Sequence, residues 1–163
     1  MKKWILITDF DGIFTTPYFT YTVEGKTGKS FSPNDAHVAK FLIPHLVDFQ
    51  ILTGESSDVG LEITKKRLEH VGLLDRLNVC PGKDKINWIK EKYNIENVAY
   101  FGDDIFDVKI FKECGWSSCP NTALPVLKEN CSYVSTQKGG EDAFAGMALK
   151  FAKYELDIDL TNI

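Results

Sequence analysis

Two aspartates separated by one residue and followed by a glycine are the residues of this sequence best suited to chemistry. Asp9, Asp11 and Gly12 lie in the segment TDFDGIFT, directly after the apolar run WILI at 4–7. Such a run is typical of a strand buried on both faces of a parallel sheet. The strand would deliver both carboxylates to the carboxyl edge of the sheet, where open α/β sheets bind ligands. Because neighbouring carboxylates repel, a hard divalent metal with oxygen ligands would stabilise this arrangement.

Two other predicted strands also end in polar residues. Thr53 follows the strand predicted at 49–52, and Asp103 lies just after the strand predicted at 98–101. In a parallel sheet the carboxyl ends of the strands share one edge, so we expect these groups to converge on Asp9. An Asp-Gly pair is also a common turn former, and the first segment alone could be a solvated turn. The three strand ends together favour a site.

The order of the predicted elements indicates the fold class. Strands and helices alternate, which is typical of a parallel sheet flanked by helices. We expect a single α/β domain over 1–163, a Rossmann-like three-layer α/β/α fold with a mainly parallel central sheet and a mixed tail at about 155–163. Asn34 or Asp35 is the expected N-cap of the first helix. The predicted strands are 4–7, 49–52, 77–80, 98–101, 116–119 and 133–135, and the predicted helices 34–46, 61–71, 85–93, 105–114, 123–130 and 141–154.

A β-hairpin is predicted at about 17–32. Bulky residues alternate with threonines over 19–23, and a turn is expected at 24–28, where Gly25 and Gly28 would supply unusual backbone angles. An isolated hairpin is marginally stable in water. Its aromatic residues therefore need a second surface, either the body of the domain or, as we favour, another subunit.

Composition excludes several classes of partner. The 163 residues carry a net charge of −4 with 44% apolar residues, which is typical of one globular domain and leaves no basic stripe for nucleic acid. No apolar run approaches the roughly 18 residues that span a membrane. The four cysteines form no C-x-x-C pair, as expected of reduced thiols in a cytoplasmic protein. We expect a cytoplasmic protein without nucleic-acid or membrane partners.

The residues at the predicted edge suit phosphoryl transfer. A carboxylate can attack phosphorus and form an aspartyl-phosphate, and a second carboxyl group can protonate the leaving oxygen and later deprotonate water. A hydroxyl with backbone N–H groups can hold phosphoryl oxygens, a lysine can add positive charge, and an acidic pair can complete a magnesium site.

Four motifs carry a resemblance to the haloacid-dehalogenase-like phosphatases. TDFDGIFT resembles their first motif, Leu52-Thr53-Gly54 the second, Lys85 the third and the segment GDDIFD at 102–107 the fourth. The motifs stand in the family's order, and the match covers roughly residues 4–150. The resemblance implies a magnesium-dependent phosphatase with the following roles: Asp9 as nucleophile, Asp11 as general acid/base, Asp9, Asp11 (through its backbone carbonyl) and Asp103 as Mg²⁺ ligands, Thr53, Gly54 and Lys85 at the phosphate, and Asp104 and Asp107 as supporting carboxylates.

The subfamily is indicated by what lies between the motifs. No cap domain interrupts the chain, and the hairpin and the pair Gly139-Gly140 resemble the 3-deoxy-octulosonate 8-phosphate phosphatases and the related nine-carbon sugar-acid 9-phosphate phosphatases. This resemblance implies a small-molecule sugar phosphate as substrate, a 2-keto-3-deoxy sugar acid phosphate in particular. It also implies a homotetramer in which hairpins pack together and neighbouring subunits help to close each site.

Several positions depart from the pattern of those relatives. Glu55 stands where the octulosonate enzymes have arginine, which slightly favours a nine-carbon 9-phosphate substrate, although Glu55 could equally be a solvated residue at a helix start. Arg67 could contact substrate or a partner subunit, or be a surface charge. Lys83 is a rival to Lys85, because the segment GKDK is one residue short of the family pattern. Ala145 replaces an arginine of the glycine-rich tail at 139–145.

Two alternative functions remain open. The altered glycine-rich segment at 139–145 is compatible with a binding or scaffold protein that keeps the fold but does not turn over a substrate. A phosphotransferase could use the same aspartyl-phosphate, but without a cap little would exclude water from the site.

Overall fold

The computed structural model describes residues 3–158, and of the predicted tail residues 159–163 lie outside the described part. Its strands are β1 (Ile5–Thr8), β2 (Thr20–Thr22), β3 (Gly25–Gly28), β4 (Asp48–Thr53), β5 (Leu77–Val79), β6 (Val98–Phe101), β7 (Trp116–Cys119) and β8 (Tyr133–Val134). Six of them form a parallel sheet in the order β5-β4-β1-β6-β7-β8. β1 is the central strand at which the direction of winding changes, and ligands bind beside such switch points.

Helices flank this sheet as the alternating pattern predicted. They are α1 (Pro33–His37), α2 (Ile43–Leu46), α3 (Asp58–Val71), α4 (Lys85–Lys92), α5 (Val108–Glu113), α6 (Pro125–Lys128) and α7 (Ala143–Glu155), and a π-helical segment, Val38–Leu42, joins α1 to α2. Short 3₁₀ turns at Gly82–Asp84 and Ile105–Asp107 lead into α4 and α5. Among residues 3–158 no helix has both the length and the apolar character required to cross a bilayer.

Two apolar cores, one on each face of the sheet, make the domain three-layered. Leu6 of β1 and Phe101 of β6 point to one face, where they pack with Phe144 and Phe151 of α7. Their strand neighbours Ile5, Ile7, Val98 and Tyr100 point to the other face, against α4, α5 and α6. Consecutive side chains of a strand alternate between faces, so a strand without polar alternation requires cover on both sides. The three-layer α/β/α fold is confirmed.

The hairpin is present, but its turn lies earlier than predicted. β2 and β3 are antiparallel, and the turn falls at Val23 and Glu24 instead of 24–28. Gly25 has the expected positive φ of 108°, whereas Gly28 is an ordinary strand residue at the end of β3. The paired strands are therefore short, and an isolated bridge between Thr15 and Phe31 joins the base of the hairpin.

The first helix also begins earlier than predicted. Ser32, not Asn34 or Asp35, is its N-cap, and the Ser32 hydroxyl accepts a hydrogen bond from the backbone N–H of Asn34 at 3.1 Å. Pro33 takes the first helical position, where a missing N–H costs nothing. Asp35 is thereby released from capping and is buried against the start of α7.

Candidate active site

A cavity of about 550 Å³ opens at the carboxyl edge of the sheet, beside β1. The ends of β1, β4 and β6 deliver Asp9, Thr53 and Asp103 to it, as the three strand ends predicted. Thr8 pairs with Ile51 of β4 and with Phe101 of β6, so Asp9, Thr53 and Asp103 each follow a paired position by one or two residues. Polar groups distant in sequence therefore meet at the switch point of the sheet.

Asp9 and Lys85 form a buried ion pair at the floor of the cavity. Asp9 is 6% exposed and Lys85 2% exposed, and the Lys85 ammonium group donates to Oδ2 of Asp9. The other oxygen, Oδ1, accepts the backbone N–H of Phe10 at 2.7 Å. Burial raises the pKa of Asp9 to about 6, although Lys85 opposes this shift. Burial by itself would lower the pKa of Lys85, but Asp9 and Asp107 raise it above its ordinary value, so this lysine is a permanent cation beside Asp9.

Three carboxylates crowd around this lysine. One oxygen from each of Asp9, Asp103 and Asp107 can be chosen so that all lie within 4.8 Å of one another. Burial, together with the charges of Asp9 and Asp107, raises the pKa of Asp103 to about 8. A single ammonium group does not offset three carboxylates at such distances, and a divalent cation with oxygen ligands would. The donor set therefore fits a hard metal ion.

Asp107 supports the cluster from below. It is fully buried, and its Oδ1 accepts the Tyr100 hydroxyl at 2.8 Å. Its Oδ2 accepts the backbone N–H groups of Asp103 and Asp104 at 3.0 and 3.1 Å. Asp104 is the N-cap of the following 3₁₀ turn, and with Asp107 it forms a capping box. These bonds fix the loop that carries Asp103.

Close backbone contacts shape the loop after β1. Gly12 has φ +77°, and a Cβ there would come within 1.8 Å of an Asp103 carboxylate oxygen. A Cβ on Gly139 would come within 1.9 Å of the Gly12 carbonyl oxygen, and the N–H of Gly140 donates to the Ile13 carbonyl at 3.0 Å. The pair Gly139-Gly140 thus packs on residues 12–16 of its own chain, directly after Asp11.

The hairpin supplies two lysines to the cavity. Lys26 forms an ion pair with Glu55, and Lys29 contacts Asp11 through both carboxylate oxygens, at 2.7 and 3.0 Å. Glu55 also accepts the hydroxyl and backbone N–H of Ser57, at 2.7 and 3.0 Å. Burial by itself would raise the pKa of Glu55, but the bonds from Lys26 and Ser57 lower it to about 2. Glu55 is therefore an ionised anchor for the hairpin instead of a solvated residue.

The structure places most of the predicted site residues together. Those lining the cavity are Asp9, Asp11, Thr53, Gly54, Glu55, Lys85, Asp103 and Asp104. Asp107 lies beneath them, as a supporting carboxylate. Lys83 is exposed, so Lys85 is the lysine that reaches Asp9. Arg67 lies elsewhere, with its guanidinium carbon 5.3 Å from the centre of the Phe31 ring and outside the lining of this cavity.

Other lining residues were not predicted from the sequence. Lys26 and Lys29 of the hairpin segment and the partly exposed side chains of Phe106 and Leu124 all face the cavity. A hairpin lysine is ordinarily a solvated charge, and no local pattern distinguishes these two. The alternation over 19–23 gave the only signal, since it predicted that the aromatic residues of the hairpin pack on another surface.

Comparisons with known proteins agree with this geometry. No family model matches the chain. The 3-deoxy-D-manno-octulosonate 8-phosphate phosphatase of Haemophilus influenzae is 28% identical over 152 residues, covering 88% of this chain and 79% of the relative. The solved structure of the cobalt-bound form of the Haemophilus influenzae phosphatase superposes with a TM-score of 0.78 at 26% identity, covering 93% of this chain and 88% of that one.

A second solved structure shares the fold at lower identity. The 3-deoxy-D-manno-octulosonate 8-phosphate phosphatase of Moraxella catarrhalis, in complex with a magnesium ion, a phosphate ion and a KDO molecule, has a TM-score of 0.78 and 22% identity. The alignment covers 93% of this chain and 87% of that one. In sequence and in fold, this chain is similar to the haloacid-dehalogenase-like phosphatases, and among them to the 3-deoxy-D-manno-octulosonate 8-phosphate phosphatases.

Proposed function

We propose that this chain is a magnesium-dependent phosphomonoesterase that hydrolyses a sugar phosphate through an aspartyl-phosphate. The observation that carries the proposal is the buried pair of Asp9 and Lys85, with Asp103 beside it, at the floor of an open cavity. A lone buried ion pair is a weak source of stability. Its presence at the floor of a cavity is better explained by chemistry than by folding.

Each residue has a role that its position permits. A carboxylate oxygen of Asp9 attacks phosphorus, and the bond to the sugar oxygen breaks as Asp11 donates a proton to that oxygen. Asp11 then takes a proton from water, which attacks the aspartyl-phosphate and releases inorganic phosphate with Asp9 restored. Lys85, the Thr53 hydroxyl and the backbone at Gly54 hold the phosphoryl oxygens.

The metal site consists of residues already crowded together. Asp9 and Asp103 would hold Mg²⁺ with the backbone carbonyl of Asp11, and Asp107 fixes the Asp103 loop. Bound Mg²⁺ would offset the negative charge that gathers on the phosphoryl oxygens during transfer. The magnesium and cobalt complexes of the similar phosphatases support this assignment.

The substrate class we propose is a 2-keto-3-deoxy sugar acid phosphate. The eight-carbon 8-phosphate is named in the similar phosphatases, and the nine-carbon 9-phosphate is favoured by the resemblance of Glu55 to the nine-carbon enzymes. In the structure, Glu55 is ion-paired with Lys26. The support for a nine-carbon substrate therefore comes from the resemblance of Glu55 to the nine-carbon enzymes alone. The ratio of kcat/KM for the two acids decides between them.

We further propose that the protein is a cytoplasmic homotetramer assembled through its hairpin. Tyr18, Tyr21 and Val23 of the hairpin are 79%, 68% and 103% exposed, an unusual apolar surface for an isolated domain. Sedimentation of the full chain, compared with the Tyr21→Ser variant, tests the assembly. A monomeric wild-type chain would refute it.

Phosphate release from a panel of sugar phosphates, with and without Mg²⁺, tests the activity. We expect magnesium-dependent turnover that Asp9→Asn abolishes, while Asp75→Asn, at an exposed carboxylate, leaves it unchanged. Transfer of the phosphoryl group to an added sugar instead of water would indicate a phosphotransferase. If the folded wild-type protein released phosphate from none of the substrates, the scaffold function would be favoured.

A further inference from the structure

Lys29 follows β3 and is one of the most enclosed charged side chains near the site. Only 2% of its side chain is exposed. Its ammonium group lies 2.7 and 3.0 Å from the two carboxylate oxygens of Asp11 and 3.6 Å from Glu55. It also donates to the Thr64 hydroxyl at 2.9 Å. The ammonium group thus lies against Asp11 of the first motif, Glu55 just after the second motif, and Thr64 of α3.

Thr64 holds this lysine from the far side. It is fully buried in α3, and its hydroxyl donates to the Gly60 carbonyl at 3.2 Å. Because that donation occupies the only hydroxyl proton, the lone pairs of Oγ1 are free to accept from Lys29. The ammonium group is therefore fixed by the body of the domain, although its backbone belongs to the hairpin segment.

Among residues 3–158, Asp11 has little else to orient its side chain. Its side chain is 38% exposed to the cavity, and its other side-chain contact is with the Thr15 hydroxyl at 3.5 Å, the limit of a hydrogen bond. A carboxyl group that transfers a proton to a leaving oxygen must be held within hydrogen-bond reach of that oxygen. Lys29 is the side chain that contacts both carboxylate oxygens of Asp11.

We propose that Lys29, fixed by Thr64, is a positioning residue that aims the Asp11 carboxyl group at the leaving oxygen of the substrate. The inference rests on the proposed function, because it assigns Lys29 a part in the proton transfer by Asp11. Lys26, three residues earlier, pairs with Glu55. It therefore anchors the hairpin without contacting Asp11 and provides a matched control.

The dependence on the leaving group separates this role from a structural one. Departure of phenol from phenyl phosphate needs a proton far more than departure of 4-nitrophenol, because phenoxide is the more basic leaving group. If Asp11 is misaligned, hydrolysis of phenyl phosphate should therefore be slowed, and hydrolysis of 4-nitrophenyl phosphate should be nearly unaffected. A distorted site, by contrast, would slow both equally. The two substrates have similar size, so binding contributes little to the difference.

The experiment measures kcat/KM for both aryl phosphates with Mg²⁺, in wild type, Lys29→Met, Thr64→Val and Lys26→Met. We expect Lys29→Met to lose about 30- to 100-fold on phenyl phosphate and less than about threefold on 4-nitrophenyl phosphate. Thr64→Val should show the same selective loss at about three- to tenfold, which keeps the test valid should Lys29→Met fold poorly. Lys26→Met should leave the ratio of the two substrates unchanged.

Two outcomes would overturn the inference. The first is a loss of kcat/KM that is equal on both substrates in folded Lys29→Met and Thr64→Val, while the wild type is active. This result would refute the positioning role and leave the proposed function standing. A folded wild type that releases phosphate from neither aryl ester nor any sugar phosphate would refute the proposed function, and the inference with it.

Discussion

Oδ2 of Asp107 accepts the backbone N–H of Asp103 at 3.0 Å, so that a fully buried carboxylate fixes the residue that completes the acidic cluster. The same carboxylate lies 3.9 Å from the ammonium group of Lys85. Asp107 thus connects the loop after β6 to the ion pair at the end of β1. Both carboxylate oxygens of Asp107 accept hydrogen bonds from the protein. Asp107 is therefore better placed to support the metal site than to coordinate the metal ion.

Replacement of Asp107 by asparagine should weaken activation by Mg²⁺. The amide removes the charge beneath Asp103 and exchanges one acceptor oxygen for a donor. Loss of a group that orients a metal ligand typically costs about 10- to 100-fold, and we expect a rise of that size in the Mg²⁺ concentration for half-maximal phosphate release. Asp75→Asn, at an exposed carboxylate outside the cavity, is the control and should shift this concentration little. Equal shifts in both variants would contradict the assignment.

Lys85→Met should destabilise the fold as well as remove activity. The substitution leaves Asp9 and Asp107 buried without their cation, and breaking a buried pair typically costs about 3 kcal/mol or more of unfolding free energy. Urea denaturation without Mg²⁺ measures that loss. Lys83→Met changes an exposed lysine two residues away and should stay within about 0.5 kcal/mol of wild type. If the two variants unfold alike, the buried pair is not as the structure describes it.

Gly12→Ala should inactivate the protein. Gly12 has φ +77°, and the added methyl group would collide with the Asp103 carboxylate. The backbone strain by itself costs about 1–3 kcal/mol, and displacement of Asp103 should lower phosphate release by at least about 100-fold. Gly28→Ala, where a Cβ meets nothing within 4 Å, should retain nearly full activity. A fully active Gly12→Ala would show that Asp103 need not occupy its observed position.

Asp35 should make stability fall as the pH rises. It is fully buried, its Oδ1 accepts the backbone N–H of Ala145 at 2.8 Å, and its Oδ2 has no hydrogen-bond partner among residues 3–158. Burial raises its pKa from 3.8 to about 7. The folded state therefore holds the proton more tightly than the unfolded state, and this stabilisation, complete below about pH 4, is lost as the pH approaches 7.

Asp35→Asn replaces the protonated carboxyl group with a neutral amide and should flatten that slope. Unfolding free energies of the variant and wild type, measured by urea denaturation from pH 4 to pH 8, should diverge in favour of the variant toward high pH. Glu62→Gln, at an exposed carboxylate, corrects for general charge effects. A difference between Asp35→Asn and wild type that does not vary with pH would refute the expectation.

Local patterns in the sequence were sufficient for the fold and for the centre of the site. Apolar runs before Asp9 and Asp103, and the mainly apolar segment before Thr53, predicted parallel strands, and parallel strands bring such ends to one edge. The hydrophobic pattern of a segment predicts its secondary structure and its buried positions without knowledge of the elements that pack against it. The predicted strand Val98–Phe101 matches the structure residue for residue, because its four side chains are all buried.

Side-chain pairing across distant elements was decided only by the tertiary structure. The 3₁₀ turn Gly82–Asp84 sets where α4 begins, and it leaves Lys83 exposed while Lys85 reaches Asp9. Likewise, Glu55 meets Lys26 and Asp11 meets Lys29 only because the hairpin folds over the edge of the sheet. The sequence around a charged residue is similar whether its side chain is solvated or ion-paired. The partner of such a residue therefore depends on the packing of elements that are far apart in the chain.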